Sequence, residues 1–166
     1  MPALKPQPLT RLPAKIRTWW GLPMRERIWL PAIWLLLGVA RASVLILPFR
    51  VVASHLGDDD RDRITAHDPE TRQVEQTRRL GHLIQITARH TPWDANCLAQ
   101  ALVAHWLLRL HYTPHAVYLG VRRTPDGGLA AHAWVDAGPV RVTGGRGVER
   151  FTVVKVFTDP PATWSR

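Results

Sequence analysis

A single cysteine in 166 residues excludes an intramolecular disulfide, and with it a structural zinc site built on two or more thiolates. There is no His-Glu-x-x-His spacing and no convergent carboxylate–histidine cluster, so a metallohydrolase is disfavoured and neither metal nor other cofactor is expected. Helix-turn-helix and zinc-finger spacings are missing, as is any basic strand interleaved with aromatics, and nucleic acid is not expected as a partner. The first residues lack the apolar core and small-residue cleavage site of a secretory signal, which points to the cytoplasm. Nor is there an unbroken apolar run of about 20 residues, the length of a membrane span. The apolar stretch at 28–40 is ended by Arg41, and the next, at 44–49, by Arg50.

What is present is an ordinary globular composition, 46% apolar and 21% charged, in a length that suits one domain with an appended arm. The net charge of +9 is unevenly spread. Lys5, Arg11, Lys15, Arg17, Arg25 and Arg27 face only Glu26 before residue 28, so that segment carries six minus one, or +5, and the remainder +4. Such a basic start suits an anionic membrane or an acidic protein or peptide.

The chain divides into three parts. Residues 1–24 read as a basic, proline-broken arm, and residues 25–63 as an apolar helical region closed by a charged hinge at 57–63. Residues 64–166 hold the remaining pattern. An all-round apolar helix must be hidden, so residues 28–49 are expected to form a buried helix or hairpin over the core. Peripheral membrane contact and burial against a partner protein are the alternatives.

From about 69 to 90, Val74, Thr77, Leu80, Leu83, Ile84 and Ala88 recur at helical spacing. Thr91 as cap, Pro92 at the first helical position and Asp94 in the first turn predict the start of a second helix, running to Leu110 with Leu98, Ala101, Leu102, His105 and Leu108 on one stripe. The period then falls to two. Strands are expected at 116–121, 129–136, 140–143 and 151–157, with turns at 125–128 and 137–139. Helices followed by a small antiparallel sheet make an α+β domain.

The position of the one thiol is informative. Cys97 falls in the first two turns of the second helix, where unpaired N–H groups and the macrodipole favour an anion and hence a nucleophilic thiolate. A cysteine nucleophile needs a base, usually histidine. Of the eight histidines, His55, His67, His82, His90, His111 and His115 lie near element ends and are expected to face solvent. His105 lies on the apolar stripe and reads as a satisfied core histidine. His132 differs, sitting mid-strand between Ala131 and Ala133 with Trp134 beyond.

The run Asn96-Cys97-Leu98-Ala99-Gln100-Ala101, the strand Val117–Val121 and the strand holding Ala131-His132-Ala133-Trp134-Val135-Asp136 together resemble the leader peptidase of lasso-peptide biosynthesis, a cysteine protease of the transglutaminase-like superfamily. The resemblance is clearest from about 92 to 151. It implies a papain-like cysteine protease core over 64–166, with Cys97 as nucleophile and His132 as base. It also implies a stand-alone peptidase that works on a leader-bearing precursor peptide, with a separate leader-recognition protein and an asparagine-synthetase-like lasso cyclase. The alternatives are an acyltransferase of the same superfamily and a non-catalytic membrane or partner adaptor.

The family pattern adds an aspartate that orients the imidazole. If the hairpin turns at 137–138, His132 faces Thr143, with Gly144 one place on, and no carboxylate is there. Asp136 lies about 13 Å along the same strand. Thr143, a backbone carbonyl, or a distant carboxylate among Asp94, Asp126, Glu149 and Asp159 remain as candidates. The second oxyanion donor is likewise open among Gln100, Asn96 and Trp93.

Overall fold

The computed structural model describes residues 24–56 and 71–159. The basic arm, the charged hinge and His67 lie outside the described residues. Four helices come first: α1 (Met24–Ile46), α2 (Phe49–Ser54), α3 (Thr71–Ala88) and α4 (Cys97–Leu110). Strands β1 (His115–Arg123), β2 (Leu129–Ala137), β3 (Val140–Thr143) and β4 (Thr152–Asp159) follow, with a 3-10 turn at Val148–Arg150 before β4. The sheet has order β3-β2-β1-β4 and its pairings are all antiparallel. The α+β expectation holds, and each expected strand forms within two residues of its expected ends.

Helix α4 is the centre of the core. Ala99, Ala101, Leu102, Val103, Ala104, Leu107 and Leu108 are all buried, and the alanines let neighbouring elements approach on several sides. It packs on β2 and β3, while α1 and α3 lie against it. On β2 the alternation places Ala133, Val135 and Ala137 in that core, and His132, Trp134 and Asp136 at the alternate positions. Trp134 is covered instead by Tyr118, stacked on it at 5.4 Å.

Gly81 sets how α3 meets the sheet. A Cβ there would stand 2.5 Å from the Val142 carbonyl oxygen, so only a glycine lets the helix rest on the β3 backbone at this distance. The amphipathic stripe of α3 is confirmed, with Thr77, Leu83 and Ile84 buried.

Two expectations are corrected. The apolar residues on both sides of Arg41 form one helix, α1, of 23 residues, with Arg41 3.9 Å from Asp94. This helix is only partly hidden. Ile33, Leu37 and Ala40 are fully buried, each large side chain worth roughly 1.5–3 kcal/mol of burial, but Leu35, Val39, Leu45 and Ile46 face outward.

His115 does not face solvent either. The first residue of β1 points inward, and its Nε2 lies 2.9 Å from Nδ1 of His105. His105 is the satisfied core histidine expected, its Nε2 donating to the His55 carbonyl at 3.0 Å. His55, His82, His90 and His111 are exposed as expected.

Candidate active site

Helix α4 begins at Cys97, not near Pro92. The Thr91 hydroxyl, expected as the cap, lies 2.9 Å from both the Ala88 and the Trp93 carbonyls, to which its one hydrogen is directed. Asn96 caps the helix instead: its Oδ1 accepts from the Ala99 N–H at 3.0 Å. Cys97 therefore stands at the first helical position, where its own N–H has no place in the helical ladder.

The loop before Cys97 is braced by α1. The Trp93 indole packs at 4.6 Å from Trp34 and lies over Gly38. The Arg41–Asp94 pair, at 3.9 Å with Asp94 largely exposed, adds little by comparison. Ring packing is therefore the stronger tie between α1 and the Cys97 loop.

Cys97 and His132 line one cleft of about 350 Å³, within the range of small-ligand sites. Asn96, Ala95 and Gln100 line it from the start of α4, Gln85, Ala88 and Arg89 from the end of α3, and Gly144 and Gly145 from the chain leaving β3. Cys97 is half-buried. Among the described residues no hydrogen bond joins its sulfur to His132; the two groups border the same space.

The partner of His132 is a backbone carbonyl. Its Nε2 lies 2.8 Å from the Gly144 oxygen. A carbonyl only accepts, so Nε2 carries the hydrogen, and in the neutral ring Nδ1 is the basic nitrogen. Phe151 packs on the ring at 5.0 Å. The arrangement depends on how β3 ends. The two-residue turn at Gly138-Pro139 pairs Ala137 with Val140, and a bulge then sets Val135 opposite Thr143. His132 thus stands three positions from the expected pairing and has no β3 residue across from it, so β2 is the sheet edge there. Gly144 leaves the ladder with φ +100, and a Cβ on it would lie 2.2 Å from Trp134 Cβ.

Of the orienting candidates, a backbone carbonyl, that of Gly144, is the one that meets the ring. Thr143 is fully buried with its hydroxyl unpartnered among the described residues. Asp136 is taken by Arg141 in a two-pronged contact of 2.8 and 3.0 Å, which holds the guanidinium even more firmly protonated than usual. Asp94 meets Arg41, and Asp126 is bonded within its own turn, where the Thr124 hydroxyl holds its carboxyl below the usual range. Of the oxyanion candidates, Trp93 is turned onto α1. Asn96 is occupied as cap through its oxygen. Gln100 faces the cleft, its amide donating to the Ala95 carbonyl at 2.7 Å.

Most of the chain is matched by a family model. The model, described as the transglutaminase-like superfamily, covers residues 37–156. The chain belongs to the transglutaminase-like superfamily. The superfamily includes cysteine proteases and acyltransferases, two chemistries that share a thioester. Comparison with curated proteins and with solved structures gave no match. The superfamily match begins inside α1, in agreement with the packing of that helix into the common core.

The lining residues that sequence reasoning did not single out include Gln85 on α3 and Arg89 just past its end. Helical periodicity reveals which face of α3 is buried, not what stands beyond its last turn. Gly144 was named only as the neighbour of Thr143. An acceptor that belongs to the backbone has no side-chain signature, and the one hint was a glycine pair directly after the short strand.

Proposed function

We propose that this chain is a cysteine peptidase that removes the leader from a lasso-peptide precursor, with Cys97 as nucleophile and His132 as general base. The observation that carries the reading is the common cleft bordered by the thiol at the head of α4 and the imidazole of β2. The residue pattern around both positions supplies the finer assignment to leader removal.

In the proposed reaction, substrate brings sulfur and imidazole within hydrogen-bond reach; such contacts are often long in unliganded sites. Nδ1 of His132 takes the Cys97 proton, while Nε2–H keeps its bond to Gly144. The sulfur attacks the scissile carbonyl, and the carbonyl electron pair moves onto oxygen. The Cys97 backbone N–H and the second amide hydrogen of Gln100 hold that oxyanion. When the tetrahedral species collapses, the C–N bond breaks and His132 protonates the leaving amine. Water then attacks the thioester, giving its proton to Nδ1, and the thiolate leaves and regains that proton.

The cleft is small, and specificity is assigned to delivery: a separate leader-recognition protein raises the local concentration of the cleavage site, and the lasso cyclase consumes the freed core peptide. The test combines purified chain, precursor and recognition protein, with product masses as readout. Two peptides whose masses sum to precursor plus water are expected. A cross-linked product with loss of ammonia supports acyl transfer instead, and full turnover by Cys97→Ala ends both readings.

A further inference from the structure

The solvent face of α1 is not that of a soluble helix. Only 17% of the stretch Trp29–Ile46 is buried, although it is long and apolar enough to cross a membrane. Leu35, Val39 and Ile46 are 62%, 48% and 78% exposed, at helical spacings that put them along one stripe. The patch continues through Leu47, Phe49 and Val51 of the following turn and α2. Across residues 28–49 the one charged group is Arg41, and it is turned to Asp94. A contiguous apolar face of this length, about 27 Å, exceeds what a monomer leaves to water without a use.

Two observations choose the occupant. Basic residues bracket the patch in sequence, with Arg25 and Arg27 before it and Arg50 after it, and the segment up to residue 27 carries +5. The opposite side of the same helix is committed to the core through Ile33, Leu37 and Ala40, so α1 cannot leave the domain to span a bilayer without stripping that core. An apolar stripe flanked by cationic groups and unable to cross is the pattern of a helix lying in a membrane interface.

We infer that the outer face of α1 and α2 docks this chain on an anionic lipid bilayer. The helix that seats on lipid is also the one that braces the Cys97 loop through Trp34, Trp93 and Gly38, so docking places the cleft at a fixed height above the surface. The inference does not depend on the peptidase reading.

The test is flotation of the full chain with two vesicle preparations, phosphatidylcholine alone and equal parts phosphatidylcholine and phosphatidylglycerol. The chain should float with the anionic vesicles, less so in high salt, and weakly with phosphatidylcholine. Leu35→Glu/Val39→Glu should weaken flotation by about tenfold or more, with an unchanged circular dichroism spectrum. Ile46→Glu/Phe49→Glu, at the other end of the patch, should do the same. Absence of flotation, or flotation that neither variant weakens, overturns the inference. So does a dimer, seen by sedimentation, that both variants dissociate while vesicles bind nothing, since the face then belongs to a second copy.

Discussion

His132 gives its Nε2 hydrogen to the carbonyl of Gly144 at 2.8 Å, a backbone acceptor in place of a side-chain carboxylate. A carbonyl fixes the tautomer and the ring plane, as a carboxylate does, but offers a partial charge in place of a full one. Orientation is thus preserved, and the charge that stabilises an imidazolium is reduced.

If Cys97 and His132 act as one unit, their removal is not additive. Cys97→Ala and His132→Ala should each lower kcat/KM by about 10³-fold or more, and the double variant should be no worse than either. Single-turnover cleavage of precursor in the presence of the recognition protein measures this. Losses that multiply would separate the two residues mechanistically.

Gly144→Ala should damage both stability and rate. The new Cβ lands 2.2 Å from Trp134 Cβ in a backbone conformation that disfavours side chains, a combined cost of about 2–5 kcal/mol. The carbonyl moves with the backbone, so kcat should fall more than KM rises. Gly145→Ala is the control: it also has positive φ, but nothing lies within 4 Å of its Cβ, and about 1 kcal/mol is expected. Urea unfolding with parallel kinetics distinguishes them.

The His105–His115 contact carries a hydrogen count. His105 Nε2 and His115 Nδ1 each meet a carbonyl, at 3.0 and 2.8 Å, so both nitrogens bear hydrogens. The 2.9 Å contact between the other two nitrogens needs a third, one more than two neutral rings supply. Imidazole nitrogen-15 shifts should therefore show one doubly protonated ring in the folded protein. His115→Phe should abolish that signal and cost about 1–3 kcal/mol, because His105 Nδ1 loses this partner in the core.

Tyr118 offers a pH readout. Burial, and next the Asp136 carboxylate, push its phenol above the ordinary tyrosine value, against a smaller opposing effect of Arg141. The unfolded chain ionises this phenol near about 10, and the folded one only higher. The folded state then holds more protons above that point, so stability falls as pH rises from about 10 and is untouched below. Absorbance titration should resolve a late tyrosine step, absent in Tyr118→Phe, whose alkaline unfolding should be shallower.

The helices and strands were legible because local signals encode them. Period 3.6 marked α3 and α4, period two marked the strands, and glycine and proline marked the turns. The start of α4 was misplaced by five residues because Thr91 and Asn96 are both competent caps. Which one acts depends on where the Thr91 hydroxyl finds a carbonyl, and it finds that of Ala88 behind it. The chemistry-bearing pair stood out because a lone thiol near a helix start and a histidine between small residues on a strand are distinctive residue types in distinctive places.

By itself the sequence determined the order of elements and the two side chains that border the cleft, since caps, periods and residue types are local properties. The tertiary structure alone decided that Gly144 receives His132, that His115 is buried against His105, and that one face of α1 stays open. Each of these follows from register and long-range packing. A bulge that shifts one pairing, or a helix whose apolar surface exceeds what the core can cover, emerges only when distant segments compete for the same space.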